Sequence, residues 1–105
     1  MANEIKRSAA DILQEAANTY RERNKIYGDN YKNVGKVMIN LHPNGIELKT
    51  DEDFTLFHLW ELVIVKLTRF ANSGLSHIDS IHDAAVYCAM IQEILEEEGK
   101  PGGGT

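Results

Sequence analysis

The sequence predicts an all-α protein, a small bundle of about four helices forming one domain. Apolar residues recur at three- and four-residue spacings along most of the 105-residue chain. Capping residues open these stretches, and glycines or prolines close them. The one alternating piece, Ile46-Glu47-Leu48, is a brief extended segment too short for a sheet of its own.

The first helix opens at Ser8, whose hydroxyl can accept an orphan amide; Asp11, three positions on, completes a capping-box pattern. Ala9, Leu13, Ala16, Tyr20 and Tyr27 then recur at helical spacing with charges between them. Gly28 supplies the flexible position that closes the helix. A shorter helix follows Asp29, with Val34, Val37, Met38 and Leu41 on its inner side and Gly35 weakening it. His42-Pro43-Asn44-Gly45 is the strongest breaker: Pro43 bars helix continuation, and Asn44-Gly45 readily takes positive φ.

Thr50 opens the clearest helix, with Asp51, Glu52 and Asp53 on the first turn, where the macrodipole favours negative charge. On a helical wheel Phe57, Trp60, Val63, Ile64, Leu67, Phe70 and Ala71 fill one half. His58, Glu61, Lys66, Arg69 and Asn72 fall on the other, with Leu62 and Val65 among them. Ser73-Gly74 ends it. The last helix runs from about Ile78 to Glu98, closed by Gly99 and Pro101. Its main apolar stripe is Ile81, Ala84, Cys88, Ile91 and Leu95, and small residues there let a neighbour approach closely. Val86, Met90 and Ile94 give it a second apolar side, which calls for a cover; a homo-oligomer is therefore expected. The domain is placed at 8–98, with flexible termini at 1–7 and 99–105.

Composition narrows the function classes. Hydrophobic residues make up 43% and charged residues 26%, the balance of a folded globular chain. The net charge of −5 makes duplex nucleic acid a poor partner, since affinity for it comes from Lys and Arg displacing counterions. A small anionic ligand fits better, because a local pair such as Lys66 and Arg69 can hold phosphate within an acidic protein. The single cysteine, Cys88, can form no intrachain disulfide and suits a reducing compartment. Met1 to Arg7 lacks an apolar signal core, and the apolar stretch Phe54 to Ala71 is broken by His58, Glu61, Lys66 and Arg69. Neither a signal peptide nor a membrane span is expected, and the cytoplasm is the expected setting.

Three constellations could carry chemistry. Glu61, Lys66 and Arg69 read either as a solvated face with weak ion pairs or as a carboxylate for a metal beside two cations for phosphates. Asp79 and Asp83, four apart, stack on one helix face in a spacing that suits magnesium. Against that, Asp79 can simply complement the helix dipole, and Asp83 can pair with Lys66 or Arg69 inside the core. Tyr27-Gly28-Asp29-Asn30-Tyr31 with Asn33 reads as one helix end followed by another's start. Its density of Tyr and Asn is what stacks on a base and reads its edge. The four histidines show no standard zinc spacing, no glycine-flanked serine elbow exists, and Gly102-Gly103-Gly104 is no phosphate loop, having no helix after it.

These pieces in this order resemble a family of small bacteriophage proteins labelled nucleotide-modification-associated domain, and more distantly the MazG-like all-α nucleotide pyrophosphohydrolases. The resemblance is carried by Tyr27-Gly28-Asp29 with Asn30 and Asn33, by Pro43-Asn44-Gly45 followed by Asp53-Phe54, by the block from Phe57 to Asn72, and by the stretch from Asp79 to Tyr87. It implies a helical bundle, often oligomeric, that handles a nucleotide or nucleotide-derived signal in the infected host's cytoplasm. In the MazG-like enzymes, acids on two neighbouring helices hold magnesium, which polarises the nucleotide's phosphates for attack by water. Carried over, the metal set would be Glu61, Asp79 and Asp83. Lys66 and Arg69 would grip phosphates, and Tyr27, Asp29, Asn30, Asn33 and Tyr87 would complete the nucleotide-binding set. The enzymes carry an E-E-x-x-E cluster; here Leu62, Ile64 and Val65 surround a solitary Glu61, so binding is expected ahead of pyrophosphohydrolysis. The rival expectations are a non-enzymatic protein that inhibits a host defence or replication factor, and an assembly module whose Asp83–Arg69 pair is structural.

Overall fold

The computed structural model describes residues 6–99, with the side chains of Ile26 and Tyr27 outside that description. Among the described residues there are four helices and no strand: α1 (Ala9–Tyr27), α2 (Asn30–Leu41), α3 (Asp51–Asn72) and α4 (Ile78–Glu97). The termini read as flexible lie outside this range, apart from Lys6, Arg7 and Gly99. The segment 46–48 stays irregular.

Local chemistry sets the helix starts. Ser8 Oγ accepts from the Asp11 amide at 3.2 Å while the Ser8 amide donates to Asp11 Oδ2 at 3.1 Å. Thr50 and Asp53 repeat the arrangement at the head of α3, with both bonds at 3.1 Å; Asp53 Oδ2 also accepts from the Lys49 amide at 3.0 Å. Each box satisfies donors that a bare helix start would leave open. The α1–α2 junction differs from expectation in one respect. Gly28 closes α1 with φ of 61°, but the Asp29 carboxylate does not cap α2; it reaches Lys32 Nζ at 3.4 Å instead.

The α3–α4 turn carries strain. Leu75 sits at φ 63°, a left-handed conformation that crowds a Cβ, while its side chain is 70% exposed and contributes little packing. Leu75→Gly is expected to raise unfolding stability by about 1 kcal/mol, the relief of left-handed strain less the added unfolded-state entropy. Urea titration checks it.

α3 is the centre of the fold, packing most extensively on α4 and less on α2. The buried residues are few: Leu59, Val63, Ile64 and Ala84, with the polar Asn30, Thr68 and Ser80. This corrects the single apolar half-wheel drawn for α3. Leu59 and Val63 are buried on one flank, Ile64 and Thr68 on another, while Leu67 and Ala71 between them are exposed. Two neighbours each cover one flank, so the middle of the expected stripe is left open. In α4 the same holds for Ile81 and Cys88, which are exposed although they lie on its expected stripe. Trp60 Nε1 donates to His42 Nε2 at 2.9 Å, with the rings edge-on at 87°, tying the breaker loop after α2 to the middle of α3. His77 Nδ1 lies 2.6 Å from Ser80 Oγ, fixing the start of α4.

α1 stands apart, packing extensively on none of the other helices. The radius of gyration is 18.7 Å, against about 13 Å for a compact chain of this length. No helix of the described residues is long and apolar enough to cross a membrane.

Candidate functional site

The last two turns of α1 bring Tyr20, Arg23 and Asn24 onto one side, at the three- and four-residue spacings that align side chains on a helix. Gly28 then turns the chain, and α2 begins with Asn30 and Tyr31. α3 runs alongside and presents Val65 and Arg69, one turn apart. These residues, with Val34, line a cavity of about 270 Å³. That lies just under the ~300 Å³ at which small-molecule sites usually begin.

Its chemistry is concentrated. Arg23 and Arg69 bring two guanidinium groups, each with five fixed donors. Tyr20 and Tyr31 bring two phenol rings. The Tyr20 phenol is raised above its ordinary value of 10.0, first by hydrogen bonding with Tyr31, then by charge on Tyr31, by burial and by Asp29. The neutral phenol is thus the form this site holds. Lys32 Nζ lies 5.7 Å from the Tyr31 ring centroid, and its pKa is raised chiefly by hydrogen bonding and charge attraction to Asp29. Asn30 is only 8% exposed, and its Oδ1 accepts from Asn72 Nδ2 at 2.9 Å. This bond joins the start of α2 to the end of α3 at the edge of the cavity. Asn24, with its amide nitrogen turned towards the junction, donates to the Gly28 carbonyl at 2.6 Å and to Asp29 Oδ1 at 3.1 Å.

Of the expected nucleotide-binding residues, the structure brings Asn30 and Arg69 to this cavity. Asp29 lies beside it and pairs with Lys32, and Asn33 is exposed on α2. Tyr87 is half-buried on α4. The expected role of Tyr27 falls on a side chain outside the described residues. Lys66 is placed elsewhere: its Nζ meets Asp83 Oδ2 at 3.0 Å, with the Lys66 side chain 18% exposed, so it bridges α3 to α4. Glu61 lines an adjoining groove that shares Tyr31 and Val34 with the cavity and continues to Met38 and Phe57. Asp79 is exposed on the first turn of α4.

The expected meeting of Glu61, Asp79 and Asp83 does not form: among the described residues no three His, Cys, Asp or Glu side chains come together as a metal-holding group. Helix geometry is the reason. Glu61 and Lys66 are five residues apart, about 140° around the axis, so Glu61 faces the α2 groove while Lys66 faces α4 and Asp83. The Lys66–Asp83 pair is then a packing device. Asp83→Ala should cost about 1 kcal/mol in urea unfolding, reduced by the partial exposure of the pair, and leave any ligand affinity at the cavity unchanged in calorimetry.

Tyr20, Arg23, Asn24 and Val65 were not among the expected site residues. A signal for three of them was present: a Tyr, an Arg and an Asn sharing one face of the final turns before a closing glycine. Comparison with protein families, with curated proteins and with solved structures finds no match for this chain.

Proposed function

We propose that this chain binds a nucleotide or nucleotide-derived phosphate-bearing molecule in the cavity between the end of α1, the start of α2 and the second half of α3. The observation that carries the proposal is the pairing of Arg23 and Arg69 with Tyr20 and Tyr31 around one 270 Å³ space in a chain of net charge −5. Two guanidinium groups in one concavity of an acidic protein concentrate positive charge where a small anion can reach it. Phosphate oxygens use their geometry, because planar N–H forks meet two oxygens at once. The phenol rings offer flat apolar faces to a base. Asn30, whose side chain is held by Asn72, adds a polar amide to the lining. The volume suits one base with its phosphates partly in solvent.

The proposal is for binding, without hydrolysis. Glu61, the solitary acid corresponding to the enzymes' cluster, lines the adjoining groove and is not among the residues that line the cavity itself. Magnesium enters this reading on the ligand's own phosphates, with no protein carboxylate assigned to it.

A thermal-shift panel of nucleoside mono-, di- and triphosphates and cyclic nucleotides tests the reading. A ligand at a hundred times its Kd stabilises by ~2.7 kcal/mol, which raises the Tm of a domain this size by on the order of 10 °C. At least one nucleotide should produce such a rise, and Arg69→Ala should remove it while the far-ultraviolet dichroism of the four helices is kept. A flat panel, or a shift that survives Arg69→Ala, contradicts the proposal.

A further inference from the structure

The cavity is one end of a longer trough between α2 and α3. Tyr31 and Val34 line both the cavity and the adjoining groove, so the two spaces meet along those side chains. On α3, Arg69, Val65 and Glu61 stand four residues apart and form one ridge; Arg69 and Val65 reach the cavity, and Glu61 reaches the groove. Each step is about 6 Å along the axis, which sets the arginine and the acid about 12 Å apart along the helix. That is the scale of one extended nucleotide, from its phosphate to the far edge of its base. α2 runs antiparallel beside the ridge, held by the Asn72–Asn30 bond at one end and the Trp60–His42 bond at the other.

Gly35 keeps the groove open at a cost to folding. It lies inside α2, where only proline is less favourable than glycine. No left-handed turn requires it, and a Cβ built there meets no atom within 4 Å, so no close neighbour requires it either. Glu61 is the one carboxylate among the described residues that line the groove. It is exposed, and among those residues it has neither an ion-pair nor a hydrogen-bond partner, so its oxygens are not engaged elsewhere. The rest of the lining is apolar apart from Tyr31 and His42, and His42 Nε2 is already taken by the Trp60 indole.

An ionised carboxylate only accepts, through two oxygens side by side. Guanine alone among the common bases offers two parallel donors on its pairing edge, N1–H and the 2-amino group. Adenine and cytosine set a ring-nitrogen acceptor beside their amino group, and uracil and thymine flank one N–H with carbonyls. Each of these turns a lone pair towards the carboxylate. Resting on the nucleotide-binding reading above, we infer that the base is guanine, read by Glu61. The base lies over Val65 and Val34 beside Tyr31, its N1–H and 2-amino group donate to Glu61, and the phosphate meets Arg23 and Arg69. Glu61 sets specificity, and Gly35 leaves room for the edge that it reads.

Isothermal titration calorimetry of the full chain with the 5′-mono- and triphosphates of guanosine, inosine and adenosine tests the inference. At matched phosphate number, guanosine should bind at least about tenfold tighter than adenosine, the low end for a bidentate contact because Glu61 is exposed. Inosine, which keeps N1–H and lacks the 2-amino group, should fall between them. Glu61→Gln puts one acceptor and one donor in place of two acceptors. It should erase the preference by weakening guanosine alone, and leave the unliganded Tm unchanged as a surface substitution does. Gly35→Leu should fill the groove, lowering guanosine affinity while its higher helix propensity raises the unliganded Tm. Arg69→Ala should weaken all three nucleosides' phosphates alike. Arg69-dependent binding with no guanine preference, or a preference that Glu61→Gln leaves intact, overturns this inference and leaves the phosphate-binding reading standing. No binding of any nucleotide overturns both.

Discussion

Reversing both guanidinium groups, Arg23→Glu together with Arg69→Glu, should lower nucleotide affinity by about 10²- to 10⁴-fold, read by isothermal titration calorimetry. Each arginine stands to make charge-assisted hydrogen bonds with phosphate, worth ~1.5–3 kcal/mol apiece. Losing both therefore removes ~3–6 kcal/mol, at about 1.4 kcal/mol per decade of affinity. Introducing carboxylates adds repulsion on top. Arg21→Glu is the matched control. It makes the same charge change on the polar side of α1, where Arg21 donates to Asn18 away from the cavity. Affinity should fall little in that variant, and a comparable fall would mean that the acidic net charge, not the cavity, governs ligand capture.

The largest stability effect is expected from Ile64→Ala, at about 2–5 kcal/mol of unfolding free energy. Ile64 is 3% exposed and belongs to a core with only three other buried hydrophobic residues among those described. A domain of this length holds ~5–15 kcal/mol in total, so one truncated side chain removes a large share. The chain cannot redistribute that loss, because Leu67, Ile81 and Met90 are turned outward. Urea unfolding should be followed at several protein concentrations. The midpoint of the truncated variant should fall well below that of the wild type at each of them.

The sequence made the four helices legible because their boundaries are local. Ser8 with Asp11 read as a capping pattern within four residues, and those bonds are present. Thr50 read as a helix start and Asp53 only as charge on its first turn; the structure adds a capping box between them. Gly28 read as a helix close and adopts the left-handed angle. Faces were less legible, because a wheel gives the apolar direction without saying how many neighbours share it. α3 meets α4 and α2 on separate flanks, so Leu67 at the centre of the expected stripe is exposed while Leu59 and Thr68 are buried. The same division separates Glu61 from Lys66. Long-range polar contacts, Trp60 with His42 and Asn72 with Asn30, carry no local signature at all. Half of the candidate site was visible in the Gly28–Tyr31 junction and Arg69. The other half, Tyr20 and Arg23, sat on a helix whose pattern reads naturally as an apolar stripe.

Amide chemical-shift mapping by nuclear magnetic resonance tests the central claim most directly, using the nucleotide that gives the largest thermal shift. Shifts are expected to gather at Tyr20, Asn24, Gly28, Asn30, Tyr31, Val65 and Arg69, with Asp79 and Asp83 unmoved. Shifts centred on Glu61 or Asp79 instead, or none at millimolar concentrations of every nucleotide tried, would contradict it.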